Sequence, residues 1–253
     1  MASELQKQPS LRIQRLSWAG IKLELASSTL FIDPWMNPSI WGEAWKHPIV
    51  TPEATTLARN VLITHAHNDH FDPVALKHLL AERGTVVCHK PIASIIGSRG
   101  FRVRPVKLYE PLLLGEFTVA AVPAVDGLND DQVSWVILAD GQRLFHGGDT
   151  LWHGAWWQIA RQYGPFDWVF LPINGVQLPF LQPASEQPVT MTPEQAVAAG
   201  IVLGAKLTIP IHYGLPATDS YFEVPTAEKI FIETAKQRKL SIKIVQPGDW
   251  ATE

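Results

Sequence analysis

The run Thr64-His65-Ala66-His67-Asn68-Asp69-His70 puts four ligand-type side chains into six consecutive positions. It follows Asn60–Ile63, a short run that reads as a strand ending at a buried site. Side chains two apart on an extended segment project to the same side, so His65 and His67 can converge on one metal ion. Once the backbone turns, Asp69 and His70 can face a second ion. Imidazole together with carboxylate suits zinc, iron or manganese, whereas calcium takes oxygen ligands. The competing reading is a polar loop whose histidines cap the next helix. Four ligand types packed so closely favour metal. A fold for this chain must therefore end a strand at a metal-binding loop.

Composition narrows the setting. A chain of 253 residues, 46% hydrophobic, can bury roughly 70–75% of the surface that its unfolded form exposes. With 18% charged residues and a net charge of −3, disorder is excluded as the main state. The same slightly acidic balance argues against nucleic acid as a partner. The lone cysteine, Cys88, excludes an internal disulfide and a Cys-rich zinc site, and reads as a small buried hydrophobe. Met1–Ser10 is polar and lacks the apolar stretch of a signal peptide. No apolar run approaches the ~20 residues of a membrane span. The expectation is a cytoplasmic protein without a transmembrane segment, with peripheral membrane contact through exposed tryptophans left open. No linker, repeat or charge block divides the chain, so residues 1–253 are expected to form one domain.

Short Val/Ile/Leu-rich runs predict strands at Leu11–Leu16, Ile21–Leu25, Leu30–Ile32, Asn60–Ile63 and Thr85–Cys88. Further strands are predicted at Val103–Leu108, Phe117–Val122, Val133–Leu138, Arg143–Phe145, Trp168–Leu171, Leu207–Ile211 and Ile242–Val245. Asp72 with Pro73 predicts a helix start, with Val74–Arg83 following at helical spacing. Helices are also predicted over Ala155–Tyr163, from a Thr192–Gln195 capping box to about Leu203, and over Thr226–Lys239. Many strands with interspersed helices predict a layered α/β sandwich.

The motif His65-x-His67-x-Asp69-His70 resembles the signature of the metallo-β-lactamase fold hydrolases, and other segments match in order. Ile32-Asp33-Pro34-Trp35 is similar to the early turn whose aspartate lies behind the ligands. Gly148-Asp149-Thr150 is similar to the segment whose aspartate bridges two metals, and Ile209-Pro210-Ile211-His212-Tyr213-Gly214 to the late histidine at a strand end. Leu171–Gly175 and Thr190–Ala196 resemble the branch of ascorbate-phosphate lactonases and N-acylphosphatidylethanolamine phospholipases D. The resemblance implies an α/β (α+β) fold, a four-layer αββα sandwich. It implies a first metal held by His65, His67 and Asp126, a second by Asp69, His70 and His212, and Asp149 bridging both. One or two divalent ions are expected, zinc first and manganese or iron otherwise. The implied activity is a metal-bound hydroxide attacking a lactone, ester or phosphodiester. Two departures stand out: Asp126 replaces the branch's histidine ligand, and Trp18 replaces a histidine near the reaction centre. They motivate an alternative, a catalytically degenerate relative that binds a ligand or partner. Oxidoreductase chemistry at a diiron centre is a third reading, without a flavin-binding domain or cysteine set to support it.

Asp69 and His153 are the candidate catalytic residues. His153, four residues after Asp149, is placed to protonate a leaving group, against the plainer reading of an ordinary surface or supporting histidine. His146 is expected to hydrogen-bond to the cluster, and His47, His78 and His89 to be structural or solvent-facing. Tyr213 is read as packing or as a substrate contact. Trp35, Trp41 and Trp45 follow one presumed site loop and Trp152, Trp156 and Trp157 another, so they are expected to line an apolar substrate entrance. For Trp156 and Trp157 the competing reading is core packing. The segment 176–189 is a candidate lid or dimer contact. The expected partner is a small-molecule substrate with an apolar portion. Oligomeric state is not legible.

Overall fold

A computed structural model describes residues 10–52 and 58–253, so the polar start read for a signal peptide lies, apart from Ser10, outside the described residues. Six strands form one sheet in chain order: β1 (Arg12–Arg15), β2 (Ile21–Leu25), β3 (Ser28–Ile32), β4 (Ala58–Ile63), β5 (Leu80–His89) and β6 (Val103–Val106). A second sheet follows, again in chain order: β7 (Leu112–Leu114), β8 (Phe117–Pro123), β9 (Val133–Ala139), β10 (Gln142–His146), β11 (Trp168–Pro172) and β12 (Leu207–Ile211). Both begin as an antiparallel meander and end in parallel pairs, β3 to β6 in one and β10 to β12 in the other. The topology therefore repeats although no sequence repeat is visible.

Parallel neighbours need crossovers, and helices supply most of them. Helix α1 (Pro73–Leu79) joins β4 to β5, and α2 (Ala93–Ser98) joins β5 to β6. In the second half α3 (Trp156–Tyr163) and α4 (Pro193–Val202) serve the parallel strands, and α5 (Ala227–Arg238) follows β12. Alternation along the strands assigns each residue to a layer. Leu62, Val87, Phe170, Ile209 and Ile211 point into the core between the sheets. Val61, Ile63, Val86 and Cys88 meet α1 and α2, whereas Val169 and Leu171 meet α3, α4 and α5. Strands buried on both faces thus read as continuous apolar runs. The result is the four-layer αββα sandwich, with each fully buried aliphatic side chain stabilising it by about 1.5–3 kcal/mol.

Local signals hold where they are short-range. Asp72 accepts the Val74 amide at the start of α1, and Thr192 with Gln195 makes both hydrogen bonds of the capping box at α4. The helix expected to run to Arg83 instead ends at Leu79, because Leu80 pairs with Ala58 and enters β5. The strand expected at Ile242–Val245 reduces to one bridge from Ile242 to Thr208, and the carbonyl of Val245 is taken by the Arg15 guanidinium. α2 and β7 are too short to show a period and are found only in the fold. No helix among the described residues is long and apolar enough to cross a membrane.

Candidate metal centre

The centre forms where the C-terminal ends of β4, β10, β11 and β12 meet. The loop after β4 carries His65, His67, Asp69 and His70; Asp149 follows β10, Asn174 follows β11 and His212 follows β12. Gly148 turns the chain with φ 67°, and a Cβ there would lie 3.2 Å from Thr64, so only glycine lets this turn rest on the His loop. Three non-glycine residues around the centre, Trp18 (φ 57°), Asp33 (φ 44°) and His212 (φ 56°), also sit in the left-handed region, a strain that surrounding contacts must hold.

Three overlapping groups of ligand atoms converge, one of them His65, Asp69 and His70. His65, His67, Asp126 and Asp149 each offer an atom within 4.8 Å of the others, and His70, Asp149 and His212 do the same. Asp149 belongs to both of the latter. Its Oδ2 lies 3.5 Å from His65 Nε2 and 4.0 Å from His212 Nε2. Asp69 Oδ2 lies 3.4 Å from His212 Nε2 and 3.8 Å from His70 Nε2. Asp126 enters through its own loop: Oδ1 accepts the amides of Leu128 and Asp130, leaving Oδ2 3.8 Å from His67 Nδ1. The shorter side chain at this position thus still reaches the cluster.

The outward nitrogens have partners of their own. Thr64 Oγ1 lies 3.0 Å from His65 Nδ1, and Asp130 Oδ2 lies 2.8 Å from His67 Nε2. Asp33 Oδ2 lies 2.8 Å from His70 Nδ1, and the Asn174 side-chain amide lies 3.0 Å from His212 Nδ1. Asp33 also accepts the amide and hydroxyl of Thr64, which ties two of these supports together. Each imidazole is oriented from behind, as ligating histidines are. On the inner side, His70 Nε2, His212 Nε2 and Asp149 Oδ1 are buried without any hydrogen-bond partner. Leaving such groups unsatisfied is costly, and a divalent cation satisfies all three. The donor set fits a metal.

Electrostatics reflect the crowding. Burial pushes His65 down to about 3, partly countered by Asp149. For His70 burial opposes protonation, but Asp69 and the bond to Asp33 outweigh it and hold the imidazole at about 9. Burial raises the Asp69 carboxyl, yet His70 and His212 prevail and keep it below the ordinary range. Burial, then Asp149, pushes the Asp126 carboxyl up.

Trp18, where the resemblance led one to expect histidine, donates from Nε1 to Asp69 Oδ2 at 3.0 Å and packs on the His212 ring at 4.3 Å. His146 accepts the Gly148 amide at Nδ1 and donates from Nε2 to the Ala19 carbonyl, so it braces the loops rather than bonding to a ligand side chain. His153 lies apart from the cluster. Its ring stacks on Trp156 at 4.4 Å, Nδ1 accepts the Ala155 amide, and burial pushes it down to about 4. Tyr213 donates to Glu228 and lies behind the centre. Cys88 is buried, and burial pushes its thiol up to about 12. Asp130 and Asn174 are the supports that motif reading missed, since a carboxylate or amide has no signature until its histidine is placed.

A cavity of 260 Å³ opens onto the centre, walled by Trp41, Leu128, Leu178, Phe180, Val189 and Tyr221 beside the ligands. Of the six tryptophans expected at an entrance only Trp41 lines it. Trp35 and Trp45 pack behind against each other, and Trp152, Trp156 and Trp157 form a group of their own, with Trp156 fully buried. The segment 176–189 supplies one apolar wall.

Compared with known proteins, residues 28–213 match the family described as the Beta-lactamase superfamily domain. The chain belongs to this superfamily. A metal-dependent hydrolase of Thermococcus kodakarensis is 27% identical over 212 residues, covering 80% of this chain and 84% of that protein. The fold is shared with the metallo hydrolase Igni18 of Ignicoccus hospitalis, with a TM-score of 0.72 at 20% identity over 95% of this chain and 97% of that one. It is shared as well with CmlA of Streptomyces venezuelae, a diiron beta-hydroxylase, with a TM-score of 0.71 at 15% identity over 95% of this chain and 53% of that one. By class this superfamily member is a metal-dependent hydrolase.

Proposed function

We propose that the protein hydrolyses a lactone, ester or phosphodiester with one or two divalent ions, zinc first among them and manganese or iron taking the same donors. The observation that carries this reading is the paired use of each imidazole: one nitrogen engaged by Thr64, Asp130, Asp33 or Asn174, the other turned toward a common centre. His65, His67 and Asp126 would hold one ion, Asp69, His70 and His212 the other, and Asp149 both. Bound divalent ions supply Lewis acidity and water acidified toward neutral pH. No serine or cysteine nucleophile is needed, and Cys88 lies in the outer core beyond reach.

The chain's own groups then order the reaction. Asp69 is ionised and held at Oδ2 by the Trp18 indole, so its carboxylate can take a proton from the attacking water and pass it to the departing alkoxide. The water oxygen forms the new bond to the acyl carbon or phosphorus, the bond to the leaving oxygen breaks, and the second proton leaves with the acid product. The apolar walls, Trp41, Leu178, Phe180 and Val189 among them, limit bulk water at the reacting bond. His153 is assigned no step, because its ring is committed to Trp156 and does not line the cavity. The degenerate reading rested on Asp126 and Trp18, and both side chains are directed at the ligand group.

Elemental analysis of the purified protein, with Asp149→Ala as the comparison, tests the proposal. Wild type should carry one to two metal ions per chain, and the variant should lose metal and about 10²–10³-fold in turnover, the scale of a charge-stabilising group at a reaction centre. Undiminished turnover in chelator-stripped protein would sink the reading.

A further inference from the structure

Beyond its metal ligands the cavity is marked by the absence of cationic side chains among the described residues. Among the described residues its lining contains three carboxylates, Asp69, Asp126 and Asp149, and neither lysine nor arginine. A fourth carboxylate, Asp130, lies 2.8 Å from His67 Nε2 outside the cavity lining, its side chain 62% exposed. The sequence repeats this pattern independently of any side-chain placement. The segments that feed the site, residues 30–45, 60–76, 123–135, 147–155, 173–192 and 207–228, hold no Lys or Arg, although the chain carries 21. The rest of the wall is Trp41, Leu128, Leu178, Phe180 and Val189, with only hydroxyls for polarity.

Charge counting sharpens the point. With two dications bound, the three ligand carboxylates would leave a net of one positive charge; with one bound, a net of one negative charge. A histidine at position 126 would have left one positive charge more, so Asp126 lowers the charge that would draw an anionic substrate. A phosphodiester brings its own negative charge into a cavity whose described lining has no guanidinium or ammonium to receive it, whereas a carboxylic ester brings none. Apolar walls also offer no compensation for desolvating an anion. At 260 Å³ the space lies just below the roughly 300–1,000 Å³ of drug-sized sites, which suits a short acyl or aryl body.

We propose that this site selects an uncharged carboxylic ester, open-chain or cyclic, with a compact apolar body, and discriminates against phosphodiesters because beyond the ligands the described lining is apolar or hydroxyl-bearing and offers no cationic side chain. The proposal rests on the hydrolase reading and narrows it. The reaction cleaves the acyl C–O bond, joins the water oxygen to the carbonyl carbon, sends one proton to the alkoxide and releases the other with the carboxylate.

The test adds the missing charge. Leu128 lines the cavity and is 38% exposed, so Leu128→Lys introduces a cation without opening the core. In zinc-loaded wild type, kcat/KM for 4-nitrophenyl butyrate should exceed that for bis(4-nitrophenyl) phosphate by at least ~10-fold, and the lysine should shrink that ratio about tenfold. Calorimetric binding supplies a readout apart from turnover: phenylphosphonate should bind about tenfold tighter to the variant, while the neutral ketone 4-phenyl-2-butanone should not. A wild type that prefers the phosphodiester, or a phenylphosphonate affinity indifferent to the lysine, overturns the proposal. Absence of turnover on both substrates, with the phenylphosphonate shift intact, removes the hydrolase reading and leaves the charge selection standing.

Discussion

Asp126 and Asp130 act on the same imidazole from opposite sides. Asp126 Oδ2 faces His67 Nδ1 from within the cluster, and Asp130 Oδ2 lies 2.8 Å from Nε2 outside it. A carboxylate behind a ligating histidine fixes its tautomer and raises its basicity. For His67, burial opposes protonation, but Asp130 and the cluster carboxylates reverse that and raise its pKa. In the two-ion arrangement proposed above, Asp130→Ala should therefore weaken the site of His65 and His67 about 10–100-fold while sparing the other. A two-step zinc titration, with only the step assigned to His65 and His67 displaced, is the expected result. Equal loss at both steps would mean that Asp130 acts on the fold and not on one ligand. Of this arrangement, the ligand cluster was legible as a motif, and Asp126 through its resemblance to a ligand position. Asp130 was not, because its role exists only once the Asp126 turn carries the chain back to His67.

At the level of elements, the loops bear function and the helices hold their frame. Gly127 shows how closely two loops meet: a Cβ there would overlap Val189, so the Asp126 loop can reach the centre only with glycine at this step. Helix α4 stands behind β11 and begins at the Thr192 capping box. Thr192→Ala removes the hydroxyl that accepts the Gln195 amide and should lower unfolding free energy by about 1 kcal/mol. Chemical denaturation should show that loss with an unchanged slope; no loss at all would mean that the cap is redundant. The capping box and the Asp72–Pro73 start were readable because caps are local chemistry. The end of α1 was not, since Leu80 is drawn into β5 by pairing with Ala58, a contact across a crossover. The second tryptophan group failed as an entrance for the same reason: Trp156 faces the helix layer, not the cavity.

Across the whole molecule, buried imidazoles make stability depend on pH in both directions. His65 and His153 are held near 3 and 4 in the folded chain by burial, against about 6.5 when unfolded. Between those values the unfolded chain binds more protons, so stability falls as the pH drops below 6.5. His70 has the opposite sign: raised to about 9 by its carboxylate neighbours against burial, its stabilisation is complete below 6.5 and lost as pH rises through 9. Chelator-treated protein should therefore show a melting temperature that peaks near pH 6–7 and declines on both sides. A flat profile from pH 4 to 9 would contradict this distribution of charge.

The amino-acid sequence by itself determined the ligand loop, the metal chemistry, the helix caps, most strand positions and the cation-free segments around the site. These are short-range or compositional properties, set by neighbours a few residues apart. Tertiary structure alone decided that Asp126 reaches the cluster, that Asp130 and Asn174 stand behind their histidines, and that His153 turns away onto Trp156. Each depends on strands from two sheets ending at one edge, a juxtaposition that no local preference encodes.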